Sequence, residues 1–159
     1  MREIKTKNGK TALVDDEDFE RVNSFRWFFV RSSTGRGSGY FATGRGRNGK
    51  KMVYLHHAII GRPVNRKMSV DHVNGNGLDN RKENLRFATA RQQRQNSAIR
   101  MNNHSGFKGI SKRKQCETFK AEIMAKGRRI YLGDFKTELE AFEAYKKAAI
   151  QHYQEFARV

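Results

Sequence analysis

Two adjacent residues, Asp71 and His72, offer the clearest opportunity for chemistry in this sequence. Valines flank the pair, and a segment rich in asparagine and glycine, residues 74–80, follows it. Neighbouring side chains on a strand point to opposite faces, but at the end of a strand they can straddle one small site. A carboxylate can hold a hard cation such as Mg²⁺, and a neutral imidazole can take a proton from water. These two groups could therefore hydrolyse a phosphodiester with the help of one metal ion.

An isolated Asp-His pair also fits a loop that is closed by hydrogen bonds and has no catalytic role, so the surrounding pattern matters. Residues 55–96 contain His56, then the Asp-His pair, an Asn-Gly-Asn turn, and finally Asn84 followed by a leucine. This string resembles the HNH nuclease motif in the form found in phage and intron homing endonucleases. His56 matches the leading histidine of that motif, and we expect it to be a structural residue packed beside the site.

The resemblance implies a ββα-metal fold and a role for each reactive residue. One strand should end at His72, a second should lie near residues 84–88, and a helix should begin at about Thr89. His72 would be the general base and Asp71 a ligand of the metal ion. Asn84 would be the middle asparagine, which fixes the loop and helps to orient the base.

The last position of the motif, a His or Asn on the helix, falls on Gln93 in this sequence. The amide oxygen of Gln93 could still reach a cation, although its side chain is one methylene longer than that of Asn. Asn96, almost one helical turn later, is the alternative ligand. The implied cofactor is one divalent metal ion, Mg²⁺ in the first place and Mn²⁺ as the alternative.

The composition points to a polyanionic partner. The chain of 159 residues has 33 Lys and Arg against 16 Asp and Glu, a formal charge of +17. An imbalance of this size favours nucleic acid, whereas a membrane surface is the weaker reading because no long basic amphipathic helix stands out. The single cysteine, Cys116, excludes a disulfide framework. The first residues lead into no apolar run, so we expect no signal peptide, no membrane span and a cytoplasmic location.

Upstream of the motif, the sequence predicts a β-rich portion. Residues 1–14 should form a hairpin around Asn8-Gly9, and the acidic run from Asp15 should begin a short helix carrying Phe19, Val22 and Phe25 on one face. Three strands should follow, and the two Gly-Arg segments near them, 32–39 and 44–51, could grip phosphates or be solvated loops. The predicted strands are Trp27–Val30, Tyr40–Thr43 and Lys51–Leu55.

Downstream of the motif, residues 99–104 read as a linker and residues 105–159 as a second domain. Strands are expected at 107–113, 119–124 and 129–132, the second of which alternates strictly between apolar and polar residues. Thr137 and Glu140 have the spacing of a capping box, which predicts the start of a helix.

This second domain resembles the plant ethylene-response-factor (APETALA-two) DNA-binding domain. The matching segments are 106–110, 119–123, 132–135 and 137–149. The resemblance implies that the exposed face of the sheet enters the major groove of DNA. With Lys120 added by strand parity, the implied DNA-binding residues are Lys108, Ser111, Arg113, Lys120, Glu122, Met124, Arg129 and Tyr131. Ser111 and Met124 stand where plant members often have Arg, so no base preference carries over.

The sequence therefore predicts an α+β protein, with an HNH nuclease domain at 1–98 and a three-stranded antiparallel sheet packed on one helix at 105–159. The function that this implies is metal-dependent cutting of double-stranded DNA at a site that the C-terminal domain selects, with no small-molecule substrate. One such site cuts one strand. The protein could therefore act as a monomer that nicks DNA or as a dimer, assembled on DNA, that cuts both strands. The alternative, favoured by Gln93, is a weak or inactive HNH scaffold that acts as a DNA-binding regulator.

Overall fold

The computed structural model describes residues 1–6, 8–31, 39–43, 52–99, 103 and 105–159. They form two compact units, Met1–Arg91 and Gln92–Val159, and each is considered by itself. The predicted linker and the two Gly-Arg segments lie almost entirely outside the described residues. None of the helices in the described ranges is long and apolar enough to cross a membrane.

The first unit begins with the hairpin that the sequence predicts. Strands β1 (Arg2–Lys5) and β2 (Thr11–Val14) pair antiparallel. Gly9 closes the turn with a φ of 73°, a left-handed conformation that glycine adopts without a steric penalty. Helix α1 (Asp16–Asn23) follows. The prediction that Phe25 extends the apolar face of this helix is wrong, because the helix ends before it and its side chain is 44% exposed.

A second antiparallel pair joins β3 (Trp27–Val30) and β4 (Tyr40–Thr43), which confirms both predicted strands. The strand predicted at 51–55 is wrong, and residue 51 lies outside the described part. Tyr54 makes an isolated bridge to Ala42, and its carbonyl accepts a hydrogen bond from the Ala58 amide as a helical turn begins. Helix α2 (Leu55–Ile60) follows because the apolar residues are spaced for a helix that faces the core.

The segment that carries the Asp-His pair forms a strand, a strand and a helix in that order. Strand β5 (Met68–His72) pairs antiparallel with β6 (Leu85–Thr89), so that His72 lies opposite Leu85. Helix α3 (Ala90–Gln95) begins directly after β6. The predicted positions of these three elements are therefore confirmed, and His72 is the last residue of its strand.

One apolar core holds the first unit together and draws on nearly all of its elements. Its fully or almost fully buried residues come from β1, β2, α1, β3, β4, α2 and β6. They are Ile4, Ala12, Val14, Val22, Trp27, Phe41, Leu55, Ile59 and Leu85. The hairpin at the N-terminus is thus part of the same core as the strand pair β5–β6.

The second unit is a three-stranded antiparallel sheet with one long helix. Strands β7 (Ile110–Lys112), β8 (Phe119–Ala125) and β9 (Arg128–Phe135) are ordered β7-β8-β9. Strand β7 is shorter than predicted, because Gly109 adopts a left-handed φ of 70° just before it. Helix α4 (Glu138–Tyr153) starts with the predicted capping box, in which Thr137 Oγ1 accepts from the Glu140 amide and Glu140 Oε2 accepts from the Thr137 amide.

Small residues let α4 lie close against the sheet. Ala141, Ala148 and Ala149 are buried on the helix, and Ala121 is buried on β8. A side chain at Gly109 would overlap the main chain of β8 and the ring of Tyr145. Helix α4 therefore covers the apolar side of the sheet. The opposite side of the sheet is a polar surface.

Candidate functional site

Asp71 and His72 close strand β5, and both are buried. Their environments differ because adjacent side chains on a strand point to opposite sides. Asp71 lies opposite Arg86 on β6, and Arg86 Nε donates a hydrogen bond of 3.0 Å to Asp71 Oδ2. His72 lies among aromatic and polar groups, with its Nε2 atom 3.5 Å from Asn80 Oδ1.

Burial favours the neutral form of the His72 imidazole. Its pKa is lowered chiefly by loss of solvation, and the hydrogen bond to Asn80 and the charges of Asp71 and Asp79 oppose this only in part. The ring centroid of His72 is 5.8 Å from that of Tyr40 and 5.5 Å from that of His56. A neutral imidazole is the form that can accept a proton, so the environment suits a general base.

His56 forms an aromatic wall beside His72. Its ring stacks on Tyr54 with a centroid distance of 5.3 Å and an interplanar angle of 5°. Burial, followed by the nearby His57 and His72, lowers the pKa of His56 to about 3. The Nδ1 atom of His56 is buried and has no hydrogen-bond partner among the described residues. These surroundings support the structural role expected for His56.

Asn84 fixes the loop between the two strands. Its Nδ2 atom donates to the carbonyl of Asp79 at 2.7 Å, and its Oδ1 atom accepts from the Asn74 amide at 2.9 Å. Asp79 in turn accepts two hydrogen bonds from the guanidinium of Arg81, at 2.9 and 2.8 Å, which lower the pKa of its carboxyl group. The side chain of Asn84 thus links Asn74 to Asp79 within the loop.

The N-terminal hairpin holds the other side of this loop. The amide of Leu13 donates to the carbonyl of Leu78, and the amide of Asn80 donates to the carbonyl of Leu13, both at 2.8 Å. Asp15, which precedes α1, does not cap that helix with its side chain but accepts a hydrogen bond of 2.8 Å from the Lys82 amide. Sequence reasoning missed these contacts, because nothing local to either segment signals a partner more than sixty residues away.

The candidate metal ligands are hard oxygen donors, which suits Mg²⁺, an ion that keeps several water ligands. Asp71 provides a carboxylate; Gln93 is half-buried on α3, and Asn96, just past its end, is buried. Within the described residues, no three His, Cys, Asp or Glu side chains are grouped as a metal site would require. The oxygen donors of these three side chains suit a hard cation, and their role as ligands stays a prediction.

Seven of the eight predicted DNA-binding residues lie along the polar side of the C-terminal sheet. Pairing places Ser111 beside Lys120, Glu122 beside Tyr131, and Met124 beside Arg129. Acidic side chains are interleaved with the cations: Glu122 is 3.0 Å from Lys120 Nζ, and Asp134 accepts from Arg113 Nε at 2.9 Å. Met124 and Tyr131 are about half exposed, so the surface combines paired charges with apolar patches.

Lys108 is placed differently from the other seven. Its ammonium donates to the carbonyl of Arg158 and, at 3.5 Å, to that of Gln95. Burial, followed by the charge of Arg158, lowers the pKa of Lys108 to about 8. In this structure the side chain is therefore engaged with main-chain carbonyls of its own unit.

Comparison with known proteins finds a similarity in the segment that carries Asp71 and His72. Residues 54–95 match the family model described as HNH endonuclease, a stretch that includes α2, β5, β6 and α3. This part of the chain is thus similar to the HNH endonuclease family, in agreement with the motif. The resemblance of the C-terminal unit to the ethylene-response-factor domain stays a prediction.

Two viral proteins are similar to the chain as a whole or in part. "Uncharacterized HNH endonuclease L560" of Acanthamoeba polyphaga mimivirus is 26% identical over 94% of this chain and 74% of its own length. "Protein 3.8" of Escherichia phage T7 is 32% identical over 42% of this chain, and the match spans 54% of the T7 protein. No solved structure matches the chain.

Proposed function

We propose that this protein is a homing-type DNA endonuclease that hydrolyses a phosphodiester in double-stranded DNA with the help of one divalent cation. The observation that carries the proposal is the pair Asp71-His72 at the end of β5, inside the segment that matches the HNH endonuclease family, with His72 buried and its pKa lowered. An acid side chain beside an uncharged imidazole is the donor set that metal-assisted hydrolysis needs.

In the proposed reaction, the imidazole of His72 takes a proton from a water molecule. The water oxygen attacks the phosphorus, and the bond from phosphorus to the leaving oxygen breaks. Arg86 holds the carboxylate of Asp71, and Asn84 holds the loop that packs beside His72. A divalent cation bound by Asp71 and by Gln93 or Asn96 would stabilise negative charge on the phosphate oxygens.

The net charge of +17 supports DNA as the substrate, since cations that neutralise phosphates supply most of the sequence-independent affinity. We assign target selection to the polar side of the C-terminal sheet, where paired charges stand beside the exposed Met124 and Tyr131. Such a mixed surface suits contacts with base edges better than a uniformly basic surface would. The viral relatives favour a phage or viral protein that acts on DNA as a monomer or as a dimer assembled on its site.

The second candidate is a DNA-binding regulator that has kept the scaffold and lost the chemistry. Two observations favour it: Arg86 already pairs with Asp71, and Gln93 replaces the usual His or Asn. Tight DNA binding without cutting under any metal condition would select this candidate.

A plasmid-nicking assay tests the proposal directly. Purified protein should nick or cut supercoiled DNA with Mg²⁺ or Mn²⁺ and do neither with EDTA. His72→Ala should lower the cutting rate by at least about 10²–10⁴-fold, the usual contribution of a general base, and leave DNA affinity nearly intact. His152→Ala, which removes an exposed histidine of α4, is the matched control and should cut normally. Cutting by His72→Ala at the wild-type rate would remove the assignment.

A further inference from the structure

We propose that Asn80 is a positioning residue that sets the tautomer of His72, so that Nε2 carries the proton and Nδ1 keeps its lone pair. The inference rests on the proposed function only in treating His72 as the base. Nothing in the motif singles out Asn80, because it is one of several asparagines in the loop.

The orientation of the Asn80 amide is the first step of the argument. Asn80 is 1% exposed, and its Nδ2 atom donates to the carbonyl of Gly77 at 3.4 Å. This contact turns the amide oxygen toward His72, where Oδ1 lies 3.5 Å from Nε2. An oxygen acceptor opposite one ring nitrogen favours the tautomer with its proton on that nitrogen. Hydrogen bonds in substrate-free sites are often this long and tighten when the substrate binds.

The position of the Asn80 main chain is the second step. Its amide donates to the carbonyl of Leu13, and the Leu13 amide binds the carbonyl of Leu78, so strand β2 holds the chain on both sides of residue 79. Asp79 between them is fixed by the bidentate contact with Arg81. The N-terminal hairpin therefore fixes the place from which Asn80 faces the ring, although it lies outside the nuclease motif.

The identity of the side chain is the third step. Asparagine presents a donor and an acceptor on one planar group, and here it uses one toward Gly77 and the other toward His72. Leucine has a similar branched shape but offers neither atom. Asn80→Leu therefore removes the polar contact with little change of volume.

The wild-type protein supplies the primary test. Long-range ¹H–¹⁵N spectra of the full-length labelled chain, recorded at mildly alkaline pH, distinguish a protonated from an unprotonated ring nitrogen. The signals of His72 are assigned as those missing from His72→Ala. We expect Nε2 in the protonated region and Nδ1 in the unprotonated region. A proton on Nδ1 in the wild type would overturn the proposal.

Two variants test the role of Asn80 in catalysis. Asn80→Leu should move both nitrogen signals of His72 toward intermediate values and lower kcat by about 10- to 100-fold, as loss of a residue that orients a histidine does, with little change in KM. Asn76→Ala is the control, because Asn76 is exposed in the same loop and its Oδ1 atom accepts a hydrogen bond from the Leu78 amide. It should leave the ring signals unchanged.

Unaltered ring signals in a folded Asn80→Leu, or equal changes in both variants, would contradict the positioning role whatever the rate. If Asn80→Leu does not fold, the wild-type spectrum still decides the matter. The proposed function fails separately, through a His72→Ala variant that still cuts DNA, and that result leaves the observed tautomer as it is.

Discussion

At His56, burial turns a titratable side chain into an aromatic building block. The folded protein lowers its pKa to about 3, whereas an unfolded chain would show the ordinary value of 6.5. Between these values the unfolded chain binds a proton that the folded chain does not. Protonation therefore favours unfolding, and the contribution of His56 to stability falls as the pH drops from about 6.5 toward 3.

We expect His56→Phe to weaken the loss of stability on acidification. One such group changes the free energy of unfolding by at most roughly 1.4 kcal/mol per pH unit. Phenylalanine keeps a ring against Tyr54, and the Nδ1 atom that it removes has no partner among the described residues. Denaturant unfolding at a series of pH values gives the slope.

In His56→Phe, the free energy of unfolding should still fall with pH, but less steeply than in the wild type. Part of the dependence remains because burial also lowers the pKa values of His57 and His72. His152→Gln should match the wild type, since His152 is exposed. Identical slopes in His56→Phe and the wild type would show that His56 does not titrate on unfolding in this range.

The metal ligand on α3 is a second question at the scale of the residue. We expect Gln93→Ala to need more Mg²⁺ for half-maximal cutting, because Asp71 would lose a partner in holding the cation. Gln93→Asn should preserve or raise activity, since it keeps an amide oxygen. Gln95→Ala on the same helix is the control.

Asn96, which is buried, is the alternative ligand. If Asn96→Ala needs much more Mg²⁺ while Gln93→Ala needs no more than the wild type, Asn96 holds the ion instead. Thermal melting of Asn96→Ala must accompany the titration, because replacing a buried polar residue also affects folding.

At the scale of elements, Gly77 shows how tightly the Asn-Gly loop packs on its neighbours. An added Cβ would overlap the carbonyl oxygen of Gly39 and lie 2.8 Å from two atoms of the Tyr40 ring. We expect Gly77→Ala to cost about 1–3 kcal/mol of stability, the usual penalty for overpacking. Relieving this overlap would also move Tyr40, whose ring lies against His72, so the cutting rate should fall as well.

Gly9→Ala separates steric overlap from backbone strain. Gly9 has a left-handed φ but open space around it, so alanine there meets only the conformational penalty, roughly 1 kcal/mol. Thermal melts of both variants make the comparison. A Gly77→Ala variant as stable as the wild type would mean that the loop can move away from β4.

The elements that the sequence predicted correctly are those specified by local signals. Asn8-Gly9 marks a turn, alternation marks β8, and Thr137 with Glu140 marks the start of α4. The helix at Leu55 was missed, because a short apolar segment fits a strand or a helix until its packing is known. The resemblance to the HNH motif proposes Asp71, His72 and Asn84 as site residues, whereas the place of Asn80 depends on its hydrogen bond to Leu13.

At the scale of the whole molecule, the boundary of the C-terminal unit decides what can fold alone. The sequence places the second domain at residues 105–159, whereas the compact unit in the structure begins at Gln92. Asn96 is buried, and the ammonium of Lys108 reaches the carbonyl of Gln95. A fragment that starts at residue 102 would lose both, so the earlier start should give the more stable fragment.

We therefore expect a fragment of residues 92–159 to fold alone and to bind DNA with an affinity that falls steeply as salt rises, through neutralisation of phosphates. A fragment of residues 102–159 should keep its circular dichroism spectrum but melt at a lower temperature. Lys108→Met in the longer fragment should lower stability and leave the salt slope almost unchanged, because its ammonium binds main-chain carbonyls. Arg129→Met, which alters an exposed cation of the sheet, should instead weaken binding. A longer fragment that is unfolded, or that binds DNA independently of salt, would refute the assignment of DNA binding to this unit.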